Sequence, residues 1–242
     1  MAAETFPQLL VARAQEYGDT KIALREKEFG IWQPVTWRQY LARVKYFCLG
    51  LVSLGLEPQH TIAIIGDNRP EWIYAELAAQ SAGAKSIGIY QDAIVSEMVY
   101  IITHADVKFI VVEDQEQVDK ILEMWADLPT VSKVIYYDPK GLRNYTKEFL
   151  MAFPEVEALG RDFEAEHPGW FEDSVARGKG SDLAILSTTS GTTGNPKLAM
   201  LTHHNLLSMG RNLMAVDPIE PDDEFVSFLP LAWIGEQMMS FA

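Results

Sequence analysis

The chain has 242 residues, enough at roughly 150 residues per domain for one or two domains with a sizeable core. Its 48% apolar and 22% charged residues fit a folded globular protein and exclude a disordered or fibrous one. Acidic residues outnumber basic ones by 34 to 20, a formal charge of −14 that repels a phosphate backbone and argues against a nucleic-acid partner. A small anion is not excluded, because oriented amides and one lysine act over a few ångströms while net charge is screened beyond about 8–10 Å.

Taken in chain order, Phe6–Tyr17 and residues 36–54 read as amphipathic helices, the second with Thr36 as its N-cap. A short hairpin through residues 23–25 and 30–35 separates them. The lone cysteine, Cys48, rules out an intrachain disulfide and reads as a buried apolar residue. The longest apolar stretch, near residues 47–56, falls short of the roughly 20 residues a membrane span needs. The N-terminus has no basic stretch followed by an apolar run, so the expected compartment is the cytoplasm, with peripheral membrane contact left open.

From residue 61 a pattern of apolar strand, turn and amphipathic helix repeats, with strands at Thr61–Ile65, Lys85–Ile89, Val107–Val112 and residues 133–137. Three of these are near-continuous apolar runs, which predicts an α/β fold with mainly parallel sheets covered by helices. Asn68 can cap the helix after the first strand, Pro70 suits its first turn and Gly83 its end. Trp72, Tyr74, Ala75, Leu77 and Ala78 would form its core stripe. Between residues 138 and 181 the pattern loosens, and 177–181 reads as a surface connection. This divides the chain into a subdomain over 1–180 and the start of a second over 181–242. The last residues, 236–242, begin a helical pattern with no stop signal, as in a truncated chain.

A strand at 183–186 leads into residues 187–197, STTSGTTGNPK, and a strand-like pattern resumes at 198–201. Ser187, Thr188, Thr189, Ser190, Thr192 and Thr193 place six hydroxyls beside Gly191 and Gly194, followed by Lys197. Glycines let backbone amides approach a phosphate, hydroxyls add donors, and a Thr or Ser oxygen can ligate Mg2+. The Walker pattern is not met, since Pro196 precedes Lys197, Leu198 follows it, and both flanks read as strands. A Gly/Thr turn with a solvated lysine is the bland alternative.

Residues 186–197 resemble the phosphate-loop signature of the adenylate-forming (AMP-binding) superfamily, and three other segments follow in the family's order. Residues 35–41 are similar to its Thr-aromatic-x-x-Leu motif. Residues 66–72 resemble the Gly-acidic-Asn-Arg-Pro-Glu-Trp stretch of long-chain acyl-CoA synthetases. Residues 82–90 resemble the passage that follows, with Gly88 where a proline is frequent. Residues 228–237, FLPLAWIGEQ, resemble the segment lining the carboxylate pocket, with Trp233 in place of the usual histidine.

The resemblance implies the N-terminal portion of the adenylate-forming large domain, part of a long-chain fatty-acid CoA ligase using ATP, Mg2+ and coenzyme A. Carried onto this chain, Thr189, Ser190, Gly191, Thr192, Thr193, Gly194 and Lys197 would hold the ATP phosphates, Thr189 would also contact the metal, and Trp233 would wall or gate the acyl channel. A core role is the alternative for Trp233, as a helix-start role is for Glu236, and His203 and His204 read as capping-region residues. No catalytic side chain is expected within this segment, which alone should be inactive. An aryl or bile-acid ligase, a phosphotransferase using the same loop, and a nucleotide-binding module without chemistry are the other readings.

Overall fold

The computed structural model describes residues 3–189, 196–220 and 222–240. The first helix, α1 (Phe6–Tyr17), is capped by Thr5, whose Oγ1 accepts from the Gln8 amide at 3.3 Å. Strands β1 (Ile22–Glu28) and β2 (Ile31–Thr36) pair antiparallel as a separate two-stranded sheet. Phe29 and Gly30, with φ of 47° and 80°, form the two-residue turn whose twist suits such a hairpin. Thr36 then caps α2 (Trp37–Ser53) in a reciprocal box: Gln39 N donates to Thr36 Oγ1 at 3.2 Å, and Thr36 N donates to Gln39 Oε1 at 2.9 Å.

The predicted strands assemble as β3 (Thr61–Ile65), β4 (Lys85–Ile89), β5 (Val107–Val112) and β6 (Lys133–Tyr136), joined by β7 (Leu150–Ala152), β8 (Leu183–Thr189) and β9 (Lys197–Thr202). Their order is β7-β6-β5-β3-β4-β8-β9, parallel throughout except for β9, which pairs antiparallel with β8. Helices cover both faces, as the apolar runs predict. Ile62 and Ile64 of β3 join the core that holds residues of α1, α2 and α3 (Pro70–Ser81), while Ala63 and Ile65 join the core under α4 (Val95–His104) and α5 (Gln115–Met124). Cys48 is fully buried in the first of these, and burial pushes its thiol well above the ordinary range. No helix among the described residues is long and apolar enough to cross a membrane.

Helix α3 departs from its sequence reading in two ways. Its N-cap position is Arg69, which makes no side-chain cap bond, because the Asn68 amide is engaged elsewhere. It is also buried nearly all round, from Trp72 and from Tyr74 through to Ser81, since it lies between the sheet and helices α1 and α2; a one-sided stripe is too narrow a description. Pro70 does occupy its first turn, and Gly83 closes it at φ 77°, a conformation that favours glycine.

The loosely patterned stretch before residue 181 is mostly helical, with α6 (Phe153–Glu166) and α7 (Trp170–Arg177). The Glu155 carboxylate accepts from the Ala152 amide at 2.6 Å at the start of α6. Helix α6 packs on α2 at backbone contact. A Cβ on Gly50 would lie 2.0 Å from the Val156 carbonyl oxygen, and one on Gly160 would lie 1.9 Å from that of Tyr46. Beside this crossing the rings of Phe47 and Phe153 stack at 3.8 Å.

Gly160→Ala therefore sets two effects against each other. Alanine gains about 1 kcal/mol of helix propensity over glycine, but the Tyr46 carbonyl and the Gly50 amide are backbone and cannot swing aside as a side chain could, so the helices must separate at a cost of about 1–3 kcal/mol or more. Net destabilisation is expected, read as a fall in thermal midpoint of roughly 2–4 °C per kcal/mol. A midpoint raised by the substitution would show that the two helices are not in backbone contact.

Candidate functional site

The hydroxyl-rich segment sits on an antiparallel hairpin at the edge of the sheet. Strand β8 runs three residues further than its apolar run, so that Ser187, Thr188 and Thr189 are paired with Ala199, Leu198 and Lys197 rather than opening the loop. Threonine favours extended backbone, which is why hydroxyl residues extend the strand. Thr189 and Lys197 thus face each other at the base of the connection, with Thr189 Oγ1 donating to the Lys197 carbonyl at 3.3 Å. Both residues are exposed. Ser190, Gly191, Thr192, Thr193 and Gly194 lie outside the described residues. A strand follows the connection where a Walker loop would lead into a helix.

In a doubly wound sheet, ligands bind beyond the carboxyl ends of the strands, where successive connections leave in opposite directions. Here that point lies between β3 and β5, and the protein's own side chains fill it. Arg69 Nε meets Glu113 at 3.1 Å and its Nη1 meets Glu26 of the hairpin at 2.5 Å, while Glu113 also accepts from the Asp67 amide at 2.6 Å. These partners hold the Arg69 guanidinium firmly charged. Space remains on the other side of β3, where a cavity of about 330 Å³ lies among Gly66, Asp67, Tyr90, Gln91, Asp92, Pro230 and Ala232.

The segment from Ser227 to Gln237 crosses this end of the sheet without joining it, and polar side chains hold it. Asn68 Nδ2 donates to Ser227 Oγ and to the Leu229 carbonyl, both at 2.7 Å, and Asn68 Oδ1 accepts from Leu231 N at 3.0 Å. Leu229 N donates to Glu236 Oε2 at 3.3 Å, in the first turn of α9 (Ile234–Ser240). Gln237 Nε2 donates to the Leu231 carbonyl and to Glu76 Oε2, both at 2.9 Å. Ala232 rests on Gly88 of β4, where a Cβ would come within 2.7 Å of its Cα. That close approach is the physical reason for a glycine inside this strand.

Glu76 is buried in α3, where it also accepts from Trp72 Nε1 and Gln80 Nε2 at 3.3 Å. Burial pushes its carboxyl up to about 7, against the opposing hydrogen bonds from Gln237 and Trp72. A small cavity of about 10 Å³, room for about one water, is lined by Glu76, Ser86, Ser187, Leu231 and Gln237 among others. The strand that ends in Thr189 and the segment that carries Trp233 therefore meet in one place.

Trp233 is 45% exposed among the described residues, and its backbone N donates to the Pro230 carbonyl at 2.8 Å as the chain turns into α9. The Glu236 side chain is fully buried. His203 and His204 diverge as neighbours on a helix must. His203 is buried, its Nδ1 accepting from Phe6 N at 3.4 Å, whereas His204 is exposed. Thr202 caps their helix, α8 (His203–Val216), with Asn205. Three residues escaped sequence reasoning. Asn68 and Gln237 give no local sign of a partner some 160 residues away, but a lone carboxylate inside the run from Trp72 to Ala79 could have marked Glu76.

Residues 10–242 match the family model described as AMP-binding enzyme. Among curated relatives, the long-chain fatty acid CoA ligase ACSBG2 of Xenopus laevis is 30% identical over 239 residues, which are 97% of this chain and 32% of that protein. The long-chain fatty acid CoA ligase ACSBG1 of Rattus norvegicus is 32% identical over 246 residues, with the same shares of 97% and 32%. The chain thus spans about a third of the length of these relatives. Among solved structures, a long-chain fatty acid CoA ligase (FadD1) from Archaeoglobus fulgidus superposes with a TM-score of 0.78 at 17% identity, over 99% of this chain and 44% of that one. A luciferase-like enzyme from the mealworm Zophobas morio gives 0.75 at 17% identity, over 98% and 51%. These likenesses establish the shared fold.

Proposed function

Because the chain belongs to the AMP-binding enzyme family, we propose that it is the N-terminal part of an ATP-dependent ligase that activates a long-chain fatty acid as its acyl-adenylate and passes it to coenzyme A. In this reading the fatty-acid carboxylate attacks the α-phosphorus of ATP and pyrophosphate leaves. The coenzyme A thiol then attacks the acyl carbon and AMP leaves. Neither step uses a nucleophile from this chain, and the barrier of the first lies largely in charge gathering on the departing pyrophosphate. Fixed donors aimed at that charge are the protein's contribution.

The observation that carries the reading is the hairpin in which Thr189 faces Lys197 across the base of residues 190–196, beside a clasped segment bearing Trp233. We assign the phosphates to Thr189, Ser190, Gly191, Thr192, Thr193, Gly194 and Lys197, and the wall of the acyl channel to Trp233, whose half-exposed indole supports that role. Thr189 offers Mg2+ one hard oxygen. When bound, Mg2+ would supply charge neutralisation at the departing pyrophosphate.

The test is product identity with the full-length protein, ATP, Mg2+ and fatty acids of graded length. Carboxylate-dependent pyrophosphate and AMP, varying with chain length, are expected. Release of ADP would identify a phosphotransferase instead. Release with aromatic but not aliphatic acids would move the substrate class, and ATP binding without turnover of any carboxylate would leave a nucleotide-binding module.

A further inference from the structure

We infer that Asn68 is a positioning residue for the carboxylate substrate, setting the height and tilt of residues 227–233 above the sheet; this rests on the reading that these residues line the substrate pocket. The segment has no strand partner, so its main chain depends on side chains for satisfaction. Asn68 supplies both a donor and an acceptor, which no other short side chain does in that geometry: Nδ2 takes the Leu229 carbonyl at 2.7 Å and Oδ1 takes Leu231 N at 3.0 Å. The two contacts bracket Pro230 and fix the backbone immediately before Trp233.

Asn68 itself is held rigidly. It lies between the carboxyl end of β3 and the first turn of α3, flanked by Asp67, whose amide is bound to Glu113, and by Arg69, which is paired with Glu26 and Glu113. On the far side of Leu231, Gln237 binds the carbonyl and is anchored on Glu76. The clasp at Asn68 is thus the point where the packed core sets the backbone of the segment, and the 330 Å³ cavity beneath Pro230 and Ala232 is the room into which the segment sinks if released. The shape of the substrate channel, and not the binding of ATP, depends on it.

The experiment measures pyrophosphate release by full-length wild type, Asn68→Ala and Asn68→Asp across fatty acids of graded length, with thermal midpoints recorded for each. Loss of the three bonds to Ser227, Leu229 and Leu231 in the alanine is expected to raise the carboxylate KM by about five- to tenfold and to change the ratio of kcat/KM between short and long acids, with the KM for ATP within about twofold of wild type. The aspartate keeps an acceptor for Leu231 N but turns a carboxylate oxygen toward the Leu229 carbonyl in place of the donor, so it should lie no closer to wild type than the alanine does. A general loss of stability would lower turnover of all chain lengths alike, so an unchanged ratio in a folded variant overturns the inference, and so does failure of both variants to fold. Wild type that releases no pyrophosphate with any carboxylate overturns the reading on which the inference stands.

Discussion

Lys197→Ala is expected to lower carboxylate-dependent pyrophosphate release by the full-length protein by about 10²–10³-fold, the loss typical when one preorganised donor is removed from a site of developing charge. The argument is geometric. Lys197 opens β9 directly opposite Thr189, and its contact with Thr189 uses its main-chain carbonyl, which alanine retains. Its side chain is exposed, so truncation should change stability by no more than about 0.5 kcal/mol. Turnover should therefore collapse while the thermal midpoint stays in place. Thr189→Val, which keeps the branched side chain and removes the hydroxyl, should show a smaller loss of the same kind. If Lys197→Ala retains wild-type turnover, the pyrophosphate charge is stabilised from elsewhere and the assignment of this loop fails.

Much of the molecule was legible because local chemistry and global structure agree. The apolar runs of β3, β4 and β5 fit only a sheet covered on both faces, and Thr36 with Gln39, or Pro70 with Gly83, mark helix ends by mechanisms that act within a few residues. The errors fall where distant partners decide. Asn68 has the side chain of a cap but spends its amide on residues 227–231. The helices α6 and α7 hide in a stretch rich in charge and glycine because Gly160 is not a breaker there but a point of contact with Tyr46. The bonds from Asn68 that hold residues 227–231 were not legible, since each joins residues about 160 apart in sequence.

The last expectation concerns two buried groups whose effects on stability oppose each other. Burial pushes the His203 ring down to about 4 from 6.5, with Asp182 opposing, so between those values the unfolded chain binds a proton that the native state refuses. Its contribution is fully present above pH 6.5 and is lost as the pH falls toward 4. Glu76 is the mirror case. With its carboxyl raised to about 7 from 4.5, the native state keeps a proton that the unfolded chain has released, so its contribution is present below pH 4.5 and is lost as the pH rises toward 7. Each slope is about 1.4 kcal/mol per pH unit, so across the shared window the two nearly cancel.

Single variants separate them. Relative to wild type, Glu76→Gln, which can still accept from Trp72 and Gln237, should gain about 3 kcal/mol in stability between pH 4.5 and 7. His203→Gln, which can still accept from the Phe6 amide, should gain by a similar amount as the pH falls from 6.5 to 4. Denaturant titrations at several pH values measure both. A flat difference curve for Glu76→Gln would mean that its carboxylate ionises in the fold as it does in water, and the Gln237 bond would then be made to a charged group. A sloped one means that burial outweighs the donors from Gln237 and Trp72, which bind the charged form more tightly, so that the native state keeps the Glu76 proton up to near neutral pH.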